Sequence, residues 1–200
     1  RTLAMALLLA GPAVAVCLAI PELALGALFE RGAFDHTATA ASAGVLAAYA
    51  LGLPAVVAIR SVVSSFHARS DTTTPVIISF AAIGLNVALK LLLWKSHGAQ
   101  GLALATAAGA WANASLLYLW ALRRGWTKPD RTLALALAGA VLATALMAAA
   151  LAFTAPHATQ ATASFAFEPK LMATALAGAA GLIVYLAVAA PFIRRLRRGA

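Results

Sequence analysis

Charge and sulfur are what this 200-residue sequence has least of. Asp, Glu, Lys and Arg make up 10% of it, six of these residues are acidic, and Cys17 is the single cysteine. Each shortage excludes something. One cysteine forms no internal disulfide, and set in an apolar run Cys17 reads as a small buried hydrophobe. The six acids are scattered over loops and ends, so no carboxylate dyad forms on one helical face inside an apolar segment. His36, His67, His97 and His157 fall in or beside loops without metal-ligand spacing. Nothing here supports a nucleophile with its base, a metal centre or a phosphate loop, so neither an enzyme nor a cofactor is expected. What is abundant is apolar: 63% of the residues, against about 45–50% in a globular domain. A soluble fold of this size cannot bury that much, and the natural solvent is a bilayer.

A spanning helix needs about 20 predominantly apolar residues. Six stretches qualify: 2–28, 39–66, 75–94, 99–122, 132–153 and 171–193. The first is too long for one straight span. Gly11-Pro12 is a kink-prone pair, and Pro21 divides off a short piece, Glu22 to Phe29, expected near the interface with Glu22 wet. A cleaved leader is disfavoured, because the apolar run exceeds the usual 7–15 residue core and five spans follow. Thr74-Pro75 reads as an N-cap followed by proline at the first helical position. Gly98 and Gly101 bracket a tight turn. The polar break 123–131 separates a four-helix unit, 1–122, from a terminal pair with a basic tail, 132–200, and 154–169 reads as the only long loop. The fold class is therefore an all-α integral membrane protein with six transmembrane helices.

The formal charge of +9 is that of fifteen Lys and Arg against six Asp and Glu. On one side fall Arg1, Arg69, Arg123, Arg124, Lys128, Arg131, Arg194, Arg195, Arg197 and Arg198; on the other, Arg31, Lys95 and Lys170. The positive-inside rule puts both ends in the cytoplasm. The charge is thus mostly a topology signal, and a nucleic-acid partner is not expected. Arg60 and Lys90 remain, both within apolar segments, where a charge is expensive. Arg60 has two readings: snorkelling to the interface, or facing a cavity that binds an anionic headgroup. Asn86 lies one turn before Lys90 on the same face, and Thr106 on the next helix is within plausible reach. That cluster is open between helix–helix glue and a transport role. Gly101, Ala105, Gly109 and Asn113 form a small-residue stripe suited to close helix packing.

Several segments taken in order resemble one known family. Leu28-Phe29-Glu30-Arg31-Gly32-Ala33-Phe34, Ala48-Tyr49-Ala50-Leu51-Gly52-Leu53-Pro54, the stretch from Ser65-Phe66-His67-Ala68-Arg69 through Ser70-Asp71-Thr72-Thr73-Thr74-Pro75, and Gly98-Ala99-Gln100-Gly101 on to Asn113-Ala114-Ser115 look like consecutive signatures of the MurJ (MviN) lipid II flippases. Arg31, Gly32, Arg69, Asp71 and Pro75 are the motif-loop residues. The terminal helix pair matches in hydropathy and length rather than by motif.

That resemblance implies membership of the multidrug/oligosaccharidyl-lipid/polysaccharide exporter superfamily: fourteen spans, arranged as two six-helix lobes around a cavity with two extra carboxyl-terminal helices. This chain then corresponds to the last six spans, with eight upstream helices as its intramolecular partners. It implies a multi-pass protein of the bacterial inner membrane, with lipid II as the substrate and a groove in the extra pair for the lipid tail. The best-known cavity arginines belong to upstream spans. Some members bind sodium through an Asn and an Asp one turn apart plus a Thr from the next span. Here Asn86 and Thr106 fit, but Lys90 stands at the Asp position, and a fixed ammonium argues against sodium. The alternatives are an exporter of another lipid-linked saccharide or a drug, and a non-transporting membrane scaffold.

Overall fold

The computed structural model describes residues 2–126, 131–164 and 168–198. All regular structure among them is helical: α1 (Thr2–Ala19), α2 (Pro21–Phe29), α3 (His36–Ala50), α4 (Leu53–His67), α5 (Thr73–Arg123), α6 (Arg131–Thr162) and α7 (Pro169–Arg198). Four runs are long and apolar enough to cross a membrane: His36–His67, Thr73–Arg123, Ala134–Thr162 and Pro169–Arg194. The bent pair α1–α2 is a fifth candidate. The 51-residue α5 supplies a sixth crossing, because it folds back on itself.

The reversal sits at Gly98, whose φ of 52° and ψ of −131° are open to glycine and strained for any other residue. Ser79 and Asn113, 34 positions apart, are hydrogen-bonded. In a straight helix they would stand about 50 Å apart. Gly101 completes the turn, since a Cβ there would collide with the Leu93 carbonyl.

Proline sets the other breaks. Pro12 is carried inside α1, whereas Pro21 forces Ile20 out of the helical region (φ −136°, ψ 45°), and the chain bends by 88°. Glu22 is exposed beyond that bend. Between α3 and α4 only Leu51 and Gly52 intervene, and Gly52 packs so tightly on α5 that a Cβ would lie 2.9 Å from the Ala107 Cα.

Two local expectations need correction. The cap of α5 is not Thr74. Helix α5 starts two residues earlier than Pro75, and the Asp71 carboxylate accepts from the Thr74 N–H (3.0 Å) and hydroxyl (2.8 Å), because a charged acceptor outcompetes a neutral hydroxyl at a helix N-terminus. Nor is 154–169 a long loop. Helix α6 continues to Thr162 through Pro156, with the Thr154 and Thr162 hydroxyls returning to the carbonyls of Ala150 and Ala158. The alanines of this Ala/Thr/Pro/His-rich run hold the helix where its composition suggested a loop.

The chain divides into two compact units. One comprises Arg1–Ala10 and Ala48–Leu137. Its core is Val62, Phe66, Ile78, Leu117 and Ala121, with Ile59, Val63 and Trp126 packed against it. The other comprises Gly11–Ala47 and Ala138–Ala200. Close approach dominates there: Cβ atoms at Gly11, Gly139 and Gly181 would meet Tyr185, Phe192 and Leu151 at 2.5–2.9 Å. Small residues let side chains of neighbouring helices fill the space, as expected where lipid offers no hydrophobic drive.

Candidate functional site

In the first unit the two arms of α5 enclose a cleft of about 250 Å³, lined by Ile59, Ser79, Ala82, Ile83, Asn86, Thr106, Gly109, Ala110 and Asn113. Four of these are polar, in an otherwise apolar hairpin. Close packing of the arms depends on Gly109, where a Cβ would stand 2.8 Å from the Asn86 Nδ2. Asn113 donates from Nδ2 to the Ser79 hydroxyl at 3.4 Å. Its Oδ1 is buried and accepts nothing from the described residues. The Thr106 hydroxyl donates to its own helix, at the Leu102 carbonyl. Every group facing the cleft is uncharged. Such a lining satisfies neutral polar atoms or a trapped water, and it supplies oxygen ligands without the carboxylate that hard cations ordinarily require.

Of the polar cluster read from sequence, the fold brings Asn86 and Thr106 to one cleft and leaves Lys90, half-buried on the same arm, off its lining. Arg60 is exposed on α4 next to Ile59, which does line it. Ser79 and Asn113 are the members that the sequence reading missed as cleft residues. A signal existed: Ser79 and Asn86 are seven residues apart, as are Thr106 and Asn113. That interval keeps each pair on one helical face.

The second unit holds a different arrangement. A groove of about 500 Å³ runs between α1–α2, α6 and the start of α7, with Glu22, Glu30, His36 and Lys170 among its lining and Ala19, Ile20, Leu23, Ala155 and Pro156 as apolar wall. Lys170 donates to Glu30 Oε1 at 2.5 Å, the Thr39 hydroxyl donates to Oε2 at 3.2 Å, and His36 Nδ1 lies 3.8 Å from Oε2. The Lys170 hydrogen bond, more than any other contact, holds the Glu30 carboxyl below the usual carboxylate range. Beside it Arg31 pairs with Glu168 at 3.5 Å. Gly32, at φ 58°, turns the chain between the two pairs' loop and α3.

The remaining motif residues lie in the first unit. Arg69 is exposed just beyond α4, Pro75 is buried in the first turn of α5, and Asp71, one residue before the N-cap position Thr72, accepts from that turn, its carboxyl lowered chiefly by the Thr74 backbone N–H. Lys128 and Arg1, counted for orientation, lie outside the described residues, as do residues 127–130 of the 123–131 break. Among the described residues no group of three or more His, Cys, Asp or Glu is placed to hold a metal ion.

Six apolar crossings, a kinked entry helix and a polar cleft inside a hairpin define a multi-pass helical membrane protein. The chain belongs to the MurJ lipid II flippase family, whose model, described as "Lipid II flippase MurJ", matches residues 1–194. It is 40% identical over 151 residues to a protein of Rhizobium meliloti (strain 1021) named "Probable lipid II flippase MurJ", covering 76% of this chain and 28% of that one. A like-named protein of Rhizobium tropici is 35% identical over 147 residues, covering 71% and 28%. The chain thus spans little more than a quarter of the length of these relatives. In solved structures the fold resembles "Lipid II flippase MurJ, inward closed conformation", with a TM-score of 0.77, 23% identity, and coverage of 97% of this chain and 38% of that one.

Proposed function

We propose that this chain forms the last six spans of a flippase that moves lipid II, an undecaprenyl-pyrophosphate-linked disaccharide-peptide, across the bacterial inner membrane by alternating access. The family match over residues 1–194 carries the reading. Such a protein transports and makes no covalent change, so no catalytic residue is assigned. Within it, residues 1–122 complete the second transporter lobe, 123–131 is a cytoplasmic linker, and 132–200 is the additional helix pair with a cytoplasmic basic tail. The groove beside Glu30 and Lys170 has the apolar wall that the chain of such a lipid needs. Eight upstream helices supply the main headgroup site.

In this reading Lys90 replaces sodium by an internal charge, pairing with an acid from the upstream helices, while Asn86 and Thr106 keep their neutral polar roles. Arg60 either snorkels or faces the transport cavity.

Depletion of the full-length protein tests the function. Accumulation of lipid-linked peptidoglycan precursor with loss of cell shape supports it. Normal precursor levels refute it, and point to another exported saccharide, a drug, or a scaffold. Thermal melting in sodium against choline chloride tests the role of Lys90: sodium stabilisation of the wild type that Lys90→Ala leaves unaltered overturns it.

A further inference from the structure

Helices α4 and α5 end in the same way, side by side in the first unit. In α4, Ser70 takes a φ of 58°, its N–H returns to the His67 carbonyl, and the Asp71 N–H returns to that of Phe66. In α5, Gly125 takes a φ of 70°, its N–H returns to the Leu122 carbonyl, and the Trp126 N–H returns to that of Ala121. Both are Schellman closures. Each leaves an arginine, Arg69 or Arg124, as the last residue before the left-handed turn, where a cation complements the negative end of the helix dipole.

The two closures converge on one indole. Trp126 packs edge-on against the buried Phe66 ring at 5.1 Å, which anchors it to the core. The Arg69 guanidinium lies 5.2 Å from its centroid and that of Arg124 5.8 Å; Arg124 also lies 5.9 Å from Trp120. Arg69 donates once to the Ser65 carbonyl, and both arginines are exposed. The acid facing Arg124 is Asp71, whose two oxygens are already engaged by Thr74. Two like charges are therefore held exposed against one ring, with the Arg69–Ser65 contact as their one side-chain hydrogen bond among the described residues, and the exposed Arg123 adds a third charge next door.

We propose that this arginine–tryptophan cluster is a binding site for the phosphate of an anionic glycerophospholipid. It stands at the ends of two apolar helices, where hydrocarbon gives way to headgroups and where tryptophan settles. A guanidinium matches a phosphodiester in two-pronged fashion. A zwitterionic headgroup brings its own cation, which the excess positive charge repels. The proposal is independent of lipid II, because it concerns resident lipid and requires no transport.

Purified full-length protein in detergent, with phosphatidylglycerol or phosphatidylcholine of matched acyl chains added, is weighed intact by native mass spectrometry. The wild type retains phosphatidylglycerol preferentially. Arg69→Gln or Arg124→Gln alone lowers that preference about fivefold, and the double variant about twentyfold or more, as expected for roughly one unit of surface attraction per arginine. The Arg69→Lys, Arg124→Lys pair keeps the charge, loses the fork geometry and falls between. Lys95→Gln, at the far end of the hairpin arm, leaves the preference unchanged. An unaltered preference in the folded double variant overturns the proposal. So does equal thermal protection by inorganic phosphate alone, which marks a free-anion site. Should the double variant fail to fold, unaltered preference in both single variants is equally decisive.

Discussion

The two units solve the same problem, polar groups in a membrane protein, with opposite chemistry. In the first, polarity inside the hairpin is neutral: Ser79, Asn86, Thr106 and Asn113 face a cleft without a charge among them. In the second, the ion pairs among the described residues gather at one edge, Glu30 with Lys170 and Arg31 with Glu168, near the helix starts and the exposed loop. The difference follows from water. Desolvating a carboxylate and an ammonium costs several kcal/mol each even after relaxation, whereas an amide inside a helix pair needs only one partner and returns about 0.6–2 kcal/mol. Charges stay where at least one face is wet, as with Arg31 at 64% side-chain exposure. Neutral groups go between the arms.

Breaking the first unit's core should have the largest effect. Phe66 is fully buried beneath Trp126, so Phe66→Ala is expected to cost about 3–5 kcal/mol, read as a lower melting temperature and weaker near-ultraviolet circular dichroism. Next comes the hairpin contact. Gly109→Val places new atoms on the Asn86 amide and should cost roughly 1–3 kcal/mol, with retained helicity but looser packing by hydrogen exchange in both arms.

The ion-paired edge should respond to pH where the neutral cleft does not. The Glu30 carboxyl is lowered chiefly by Lys170, so its contribution is present above the ordinary value of about 4.3 and is lost as pH falls through the folded value. Glu30→Gln should lower the melting temperature modestly at neutral pH and erase the difference from wild type in strong acid. A difference that persists there would mean that packing, not charge, holds the edge. The smallest effect is expected at Asn113. Its Oδ1 accepts nothing from the described residues, so Asn113→Leu should be within about 1 kcal/mol of neutral in melting. A loss of complementation by this stable variant would show that the cleft works in transport rather than in packing.

The comparison also separates what local sequence encodes from what it leaves open. The six apolar stretches, the bend at Pro21 and the turn between Gly98 and Gly101 were readable because hydropathy, proline and glycine act within a few residues of themselves. The Ala/Thr/Pro/His-rich composition of 154–169 misled, because its alanines carried α6 through Pro156 to Thr162. The hydroxyl of Thr74 gave way as a cap to the Asp71 carboxylate, three residues away. Half of the cleft was readable as Asn86 and Thr106; Ser79 escaped notice because a lone serine in an apolar helix is unremarkable until its partner 34 residues on is known.

By itself the sequence determined the solvent, the number of crossings and the family, since all three rest on composition, short-range periodicity and motifs in order. Only the tertiary structure decided that Lys90 stands off the cleft that Asn86 shares with Thr106, that Glu30 meets Lys170 across 140 residues, and that Arg69 and Arg124 close on Trp126. The physical reason is common to all three. Hydropathy and turn chemistry are properties of neighbouring residues, while pairing between distant side chains depends on which faces of which helices meet, and in this chain that is set by where glycine lets two backbones approach.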